Sequence, residues 1–152
     1  MRLRPARPDE AELLSDLAVR SKGHWGYDAG FLAASRVVLT LTADAVVAER
    51  AVVAEVDGVV AGFYTLYGEP PAGVLNHMFV DPPYIGAGVG RALWVHAVDT
   101  AERLGLRRFT IDADPFAESF YLAMGAKPSG SSPSSVVPGR MLPQLTYWGL
   151  GR

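Results

Sequence analysis

A run of glycines between a predicted strand and a predicted helix constrains the fold of this chain more than any other feature. Apolar residues from Val74 to Val80 indicate a strand, two prolines follow, and Gly86, Gly88 and Gly90 alternate before a helical pattern formed by Val89, Leu93, Ala97, Ala101 and Leu104. Glycine leaves the backbone N–H groups of the turn unhindered, and a helix N-terminus favours an anion through its dipole and unpaired donors. The junction therefore predicts a phosphate-binding loop.

Two other interpretations of this junction stay open. Glycine clusters at strand-to-helix turns are often only tight connections. A dinucleotide-binding fingerprint would need Gly-x-Gly-x-x-Gly in a βαβ unit, and Asp112 and Asp114 lie about where the ribose-binding acid of that fold would stand. However, Arg91 occupies the place of the third glycine, and a hairpin rather than a crossover helix precedes the strand. A dinucleotide oxidoreductase is therefore the least favoured function.

Composition excludes several other classes. With 152 residues, 49% of them hydrophobic, the chain is long enough for one sizeable core, so we expect one domain over residues 1–152. A net charge of −2 offers no basic surface for nucleic acid, and no apolar run approaches the length of a membrane span. The absence of cysteine excludes disulfides, zinc thiolate sites and a thiol nucleophile. We expect a cytoplasmic protein, since no secretory signal is visible. We also expect no bound metal.

The remaining pattern alternates strands and helices. Strands are predicted at Arg2–Ala6, Arg108–Ala113 and Met141–Trp148, and helices follow Pro8, run from Ala29 to Arg36 and from Pro115 to Met124. Asp57-Gly58 predicts a type I′ turn in a β-hairpin. The stretch from Val37 to Val47 fits neither period, and the Ser/Pro-rich stretch from Gly130 to Pro138 is predicted as a mobile loop. This order predicts an α+β domain, a mixed three-layer α/β/α arrangement.

Together these segments resemble the GNAT superfamily of acyl-CoA-dependent N-acyltransferases. The resemblance rests on Val80, on the glycine loop Ile85–Gly90, on the strand that ends at Asp114, on Ala117, and on Phe120-Tyr121 followed by Gly125. It covers essentially the whole chain. It implies a mixed sheet splayed between its fourth and fifth strands, with acetyl-CoA as cosubstrate in the gap.

The resemblance also implies which residues contact acetyl-CoA. The backbone N–H groups from Ile85 to Arg91 would hold the pyrophosphate, and the backbone of Met78 to Val80 would pair with the pantetheine amides as an added strand. The residues implied in cosubstrate binding are Met78, Phe79, Val80, Ile85, Gly86, Ala87, Gly88, Val89, Gly90, Arg91, Asp114, Ala117 and Phe120. Two positions depart from the family pattern: Ile85 replaces the usual Gln or Arg, and Asp114 replaces a common Asn. The Asp114 carboxylate would still be able to accept a hydrogen bond from pantetheine or Tyr121.

Acetyl transfer to an amine requires a proton acceptor for the amine and a proton donor for the departing thiolate. Tyr121 stands at the family's acid position, and packing beside Phe120 is its structural alternative. For the base, Asn76 stands where relatives often place a carboxylate, and an amide cannot accept the proton. His77, His24 and a water molecule remain alternatives, and strand alternation should turn His77 to the face opposite Asn76.

The loop between the first two helices walls the acceptor site in GNAT proteins. Here that loop carries His24, Trp25, Tyr27 and Asp28, whose aromatic rings and one acid would suit a cationic amine, although the rings could equally anchor the loop to the core. We therefore expect an acetyltransferase that acts on a primary amine of a small molecule or peptide in a ternary complex, with Asn76 also facing the acceptor. The alternative is an acyl-CoA sensor with little turnover. A homodimer through the last strand is also expected, because Leu145, Tyr147 and Trp148 would be costly to expose.

Overall fold

The computed structural model describes residues 1–150, and residues 151–152, the end of the predicted domain, lie outside the described residues. Five α-helices are present: α1 Ala11–Gly23, α2 Ala29–Leu39, α3 Ala43–Ala48, α4 Val89–Leu104 and α5 Glu118–Ala123. Short 3-10 helices occupy Pro8–Glu10 and Pro82–Tyr84. The strands are β1 Arg2–Pro5, β2 Val52–Val56, β3 Val59–Glu69, β4 Ala72–Val80, β5 Arg108–Asp112, β6 Lys127–Pro133 and β7 Met141–Tyr147.

The seven strands form one mixed sheet in the order β1-β2-β3-β4-β5-β7-β6. All described pairings are antiparallel except β4 with β5, whose parallel register joins Ala72–Val74 to Arg108–Thr110. This α+β architecture, a mixed sheet flanked by helices, confirms the predicted fold class. Among residues 1–150, no helix combines the length and apolar character that a membrane crossing requires.

The chain divides into two compact units, and β3, β4 and α4 contribute to both. The first unit comprises residues 1–65 and 77–93, and its core joins α1 and the start of the sheet through Leu14, Leu17, Val46, Val53 and Phe63. The second unit comprises residues 66–76 and those from 94 onward. Its core contains an aromatic group, Trp94, Phe109 and Tyr147, with ring centroids 5.1–5.5 Å apart. The expectation of one domain stays a prediction.

Local sequence rules account for most elements. The hairpin is confirmed, with Asp57 and Gly58 both at positive φ and Val56 opposite Val59. The ambiguous stretch from Val37 to Val47 splits into the end of α2 and most of α3, because Thr42 caps α3 by accepting the N–H of Ala45.

Close contact between β3 and α4 depends on a missing side chain. A Cβ at Gly62 would lie 2.7 Å from the carbonyl oxygen of Phe79 and 3.1 Å from the side chains of Val89 and Leu93. The first turns of α4 therefore pack directly against β3. This contact fixes the N-terminal end of α4, which directly follows the glycine loop.

Two predictions about the C-terminal region are wrong. The segment from Gly130 to Pro138 is not all loop, because its first residues belong to β6, which pairs with β7. The expected exposure of Leu145 on the last strand is also wrong, since β7 lies between β5 and β6 and Leu145 is buried. The edge strand at this end of the sheet is β6, whose Pro128 and Pro133 cannot donate backbone hydrogen bonds to another strand.

Candidate functional site

The glycine loop connects the end of β4 to α4 through exposed backbone. Gly86 and Gly88 adopt φ values of 87° and 84°, which residues with a side chain rarely adopt. A Cβ at either position would meet nothing within 4 Å. Ile85 is 41% exposed, whereas Val89 at the start of α4 is buried. The loop therefore presents open, unobstructed backbone next to an anchored helix.

Only part of this loop has free backbone donors. The N–H groups of Ile85 and Ala87 donate to Pro82 and Tyr84 inside the preceding turns, each at 3.2 Å. The first backbone bond of α4 runs from the N–H of Ala92 to Gly88 at 3.1 Å. Within residues 1–150, the intervening N–H groups donate to no carbonyl, as expected for a first helical turn; they belong to Gly86, Gly88, Val89, Gly90 and Arg91. These donors and the open space beyond them fit an anionic group such as a pyrophosphate.

The second half of β4 carries a buried polar side chain, that of His77. His77 is buried on β4 whereas Asn76 is exposed, which confirms the predicted alternation. The Nδ1 atom of His77 lies 2.9 Å from Oγ1 of Thr65 and 3.8 Å from the nearer carboxylate oxygen of Glu49. The same Thr65 oxygen accepts the backbone N–H of His77 at 3.1 Å. Burial lowers the pKa of His77, and the Glu49 carboxylate opposes that shift. The ring is therefore kept neutral at lower pH than an ordinary histidine.

Aromatic packing surrounds that histidine. The ring of His77 lies 6.0 Å from that of Phe79 and 6.2 Å from that of Phe63. Met78, Phe79 and Val80, the predicted pantetheine contacts, are all partly buried. Thr65 and Glu49 were not predicted, because they lie on β3 and after α3, and no local motif links them to β4.

The loop after α1 is more structural than the sequence predicts. The Asp28 carboxylate caps α2 by accepting the N–H of Phe31 at 2.8 Å. Tyr27 stacks on Phe31 at 4.1 Å, and the ammonium group of Lys22 lies 5.8 Å from the Tyr27 ring. A cation of the protein itself therefore already contacts this aromatic pair. His24, Trp25 and Asp28 are exposed in this loop, and the rings of His24 and Trp25 meet edge to face at 4.9 Å.

The residues predicted near α5 lie in the second unit. Asp114 forms a turn at the start of this segment, because its carboxylate accepts the N–H of Phe116 at 2.9 Å and its carbonyl accepts that of Ala117 at 2.8 Å. Tyr121 is buried against Trp94 and Phe120, with ring centroids 6.0 and 5.3 Å away. Burial, assisted by the charge of Asp114, raises the pKa of the Tyr121 phenol. The phenol therefore stays protonated.

The structure brings the glycine loop, the Met78–Val80 segment, His77 and the His24–Asp28 loop into the first unit, whereas Asn76, Asp114, Ala117, Phe120 and Tyr121 belong to the second. One further contact in the first unit was not predicted. Arg20 of α1 forms an ion pair with Asp81, which directly precedes the 3-10 turn of the loop. Their separation of 61 residues leaves no signal in the sequence. Among residues 1–150, no three side chains of the metal-binding types gather to form a metal site.

Comparison with known proteins identifies relatives of this arrangement. The sequence profile described as an acetyltransferase (GNAT) domain matches residues 41–135. A search of curated proteins finds no match. Among solved structures, a GCN5-related N-acetyltransferase from Rhodopseudomonas palustris has 23% identity and a TM-score of 0.79, with 95% of this chain and 93% of that chain covered.

Two further solved structures contain a ligand. PaiA N-acetyltransferase from Thermoplasma acidophilum, in complex with coenzyme A, has 15% identity and a TM-score of 0.78 over 95% of this chain and 96% of its own. YncA from Salmonella typhimurium, with acetyl-CoA, has 20% identity and a TM-score of 0.68 over 97% of this chain and 93% of its own. At these identities the structural likeness concerns the fold.

Proposed function

The chain belongs to the GNAT acetyltransferase family, and from this premise we propose that it transfers an acetyl group from acetyl-CoA to a primary amine of a small molecule or peptide, by direct attack in a ternary complex. The observation that carries the proposal is the set of unused N–H groups between Gly86 and Arg91, next to open space. The bound coenzyme A of PaiA and acetyl-CoA of YncA support the choice of cosubstrate.

In this proposal, the glycine loop holds the pyrophosphate through five backbone donors rather than the full set from Ile85 to Arg91. The helix dipole of α4 adds to their attraction for an anion. Because Ile85 offers no polar side chain, the backbone must supply this part of the affinity. Met78, Phe79 and Val80 remain proposed for the pantetheine chain, and Asp114, Ala117 and Phe120 are proposed as further contacts.

We assign the general base to His77 rather than His24. The Glu49 carboxylate near Nδ1 favours a hydrogen on that nitrogen, and the Thr65 oxygen is within reach to accept it. The Nε2 lone pair is then available for the proton of the amine. His24, by contrast, is exposed beside Trp25 and has no comparable polar support among the contacts described for it. Water passing the proton to bulk is the alternative that the pH profile below tests.

Tyr121 is the proposed acid for the thiolate. Its buried phenol remains protonated, as a proton donor must, but the raised pKa also makes it a weaker acid than a free phenol. The reference pKa of a thiol, ~8.5, lies below that of even a free phenol, ~10. Tyr121 would therefore act chiefly by donating a hydrogen bond to the developing thiolate.

His24 and Trp25 are the residues we propose to face the acceptor. The predicted acceptor contact of Asn76 is an alternative to a His77 base, because the two side chains lie on opposite faces of β4. Tyr27 and Asp28 would act through the shape of the loop, since one stacks on Phe31 and the other caps α2. The cytoplasmic location and the independence of metal, nucleic acid and membrane stay predictions.

The experiment that tests this function follows free thiol while the purified protein is incubated with acetyl-CoA and a panel of small-molecule and peptide amines. We expect thiol release that depends on one class of amine. Calorimetry with acetyl-CoA runs in parallel. Binding without turnover on the whole panel would favour the acyl-CoA sensor, and the absence of binding would contradict both functions.

A further inference from the structure

An ion pair in the first unit joins α1 to the residue that introduces the glycine loop. Nε of Arg20 lies 3.1 Å from one carboxylate oxygen of Asp81, and Nη2 lies 3.0 Å from the other. This two-point geometry fixes direction as well as distance, which a single contact between flexible side chains does not. The Asp81 side chain is only 14% exposed, whereas that of Arg20 is 52% exposed.

Asp81 is a structural junction of the loop. Its N–H donates to the carbonyl of Ala61 on β3 at 2.8 Å, and its own carbonyl accepts the N–H of Tyr84 at 2.9 Å. The turn that follows leads directly to Ile85, after which the backbone at Gly86 and Gly88 faces open space, since a Cβ at either position would meet nothing within 4 Å. The position of the free donors therefore depends on two anchors, Asp81 on one side and the buried Val89 of α4 on the other.

The charge of Asp81 is unfavourable for the proposed ligand. A mostly buried carboxylate four residues before Ile85 repels an anion held by the loop, and limited contact with water weakens the screening of that repulsion. Arg20 supplies the opposite charge at hydrogen-bonding distance. The pair thus both orients the start of the loop and cancels a charge that opposes binding.

We infer that Arg20 is a positioning residue for acetyl-CoA, acting through Asp81 to hold the glycine loop in its binding geometry and to neutralise the carboxylate beside it. This inference rests on the proposed function. It assigns a role in cosubstrate binding to a residue of α1, an element that the sequence connects only with the acceptor side.

A second ion pair of the same unit provides a matched control. Arg36 of α2 contacts Asp16 of α1 at 2.8 Å, and its side chain is 51% exposed, nearly the same as Arg20. Arg36→Leu therefore removes a surface ion pair that involves α1 while leaving Arg20, Asp81 and the loop residues unchanged. A purely structural contribution of Arg20 would be reproduced by this variant.

The test measures the Kd of acetyl-CoA by calorimetry for wild type, Arg20→Leu, Arg36→Leu and the double variant Arg20→Leu/Asp81→Asn, with folding checked by circular dichroism. We expect Arg20→Leu to raise Kd by about fivefold, a factor that corresponds to about 1 kcal/mol. Arg36→Leu should stay within twofold of wild type. The double variant should recover more than half of the lost affinity, because the repelling charge is gone.

Arg20→Lys provides a second variant should Arg20→Leu fail to fold. Arg20→Lys keeps the charge but loses the two-point contact, so its Kd should lie between those of wild type and Arg20→Leu. If Arg20→Lys is the variant that folds and Arg20→Leu is not, the Kd of Arg20→Lys should be about twofold above that of wild type. A Kd unchanged in every folded Arg20 variant overturns the inference, as does an equal rise in Arg36→Leu. Wild-type protein that binds no acetyl-CoA overturns the proposed function, and the inference with it.

Discussion

At the scale of single residues, surroundings decide what a side chain can do. His77 is a strand histidine whose pKa is lowered by burial, whereas the carboxylate of Glu49, 3.8 Å away, works in the opposite direction. Tyr121 is a phenol whose burial keeps it protonated. Both groups thus have the protonation state that their proposed roles require, one as an acceptor and the other as a donor.

For His77, the prediction is a shift in the pH profile. The rate of the wild type should rise with pH as the His77 ring loses its proton. Because Glu49→Gln removes the charge that stabilises the imidazolium, this rise should occur at lower pH in the variant. His77→Gln should abolish this rise and lower kcat/KM by about 10²-fold or more. Steady-state kinetics from pH 5 to 9 measure both effects. A profile that is the same in all three proteins would assign the base role to water or another group.

For Tyr121, the prediction separates the acid from a packing residue. Tyr121→Phe keeps the ring against Trp94 and Phe120 and removes only the hydroxyl. Turnover should fall by about 10²-fold, the lower end of the range for a positioned acid, because the raised pKa weakens the phenol as a proton donor. The Kd of acetyl-CoA should stay near wild type, and the loss should be smallest at high pH. Equal turnover across this range would leave Tyr121 a packing residue.

At the scale of elements, the junction of β4 and α4 is where backbone geometry serves binding. Gly86 and Gly88 are at positive φ, so any side chain there strains the backbone as well as entering the loop. Gly90 lies inside the first turn of α4 and is free of that complication. A substitution at Gly90 therefore reports on the ligand more directly than one at Gly88.

The element-scale prediction compares two side chains of equal size at this position. Gly90→Glu places a negative charge beside the proposed pyrophosphate and should raise the Kd of acetyl-CoA at least about tenfold, whereas Gly90→Gln, which adds the same bulk without the charge, should raise it less. Calorimetry on both folded variants measures the difference. Equal affinities for the Glu and Gln variants would argue against an anion at this helix end.

At the scale of the whole molecule, an ion network secures the N-terminal end of the sheet. Arg4 of β1 donates to both oxygens of Glu10 at 2.8 Å and to Glu55 of β2 at 2.6 Å, and Glu10 also accepts the N–H of Arg7. The Glu10 side chain is only 6% exposed, and these bonds lower its pKa from 4.5 to about 2. Because the folded pKa is the lower one, the stabilisation is present above about pH 4.5 and is lost as the pH falls towards 2.

Glu10→Gln should therefore lower the free energy of unfolding by about 3 kcal/mol at pH 7, and by less than half of that at pH 3. Urea denaturation at the two pH values measures this difference. The exposed pair of Arg7 and Asp9 offers a control, since Asp9→Asn should change stability by less than about 1 kcal/mol. A loss for Glu10→Gln that is independent of pH would contradict the linkage to this carboxyl.

The homodimer stays a prediction, but its structural basis changes. An exposed last strand no longer supports it, and the apolar side chains still exposed near β7 are Met141 and Trp148, the latter 58% exposed. Light scattering at high micromolar concentration should give the mass of two chains, and Trp148→Glu should reduce it. A single-chain mass for the wild type would refute self-association through this region.

The sequence by itself determined the features that depend on neighbouring residues. The Asp57-Gly58 hairpin follows from turn chemistry, α4 follows from its apolar period, and the glycine loop follows from residues that alternate over a short stretch. The family resemblance added the fold class, which the sheet confirms. Each of these signals lies within about twenty residues, so it is visible without the fold.

Only the tertiary structure decided the features that depend on distant partners. β6 has a polar Ser/Gly/Pro sequence with no strand period, and its pairing with β7 makes it a strand. Asp28 caps α2 by accepting the N–H of Phe31, and Glu49 and Thr65 meet His77 from other elements. The contact of Arg20 with Asp81 spans 61 residues, and folding alone brings these two charges together.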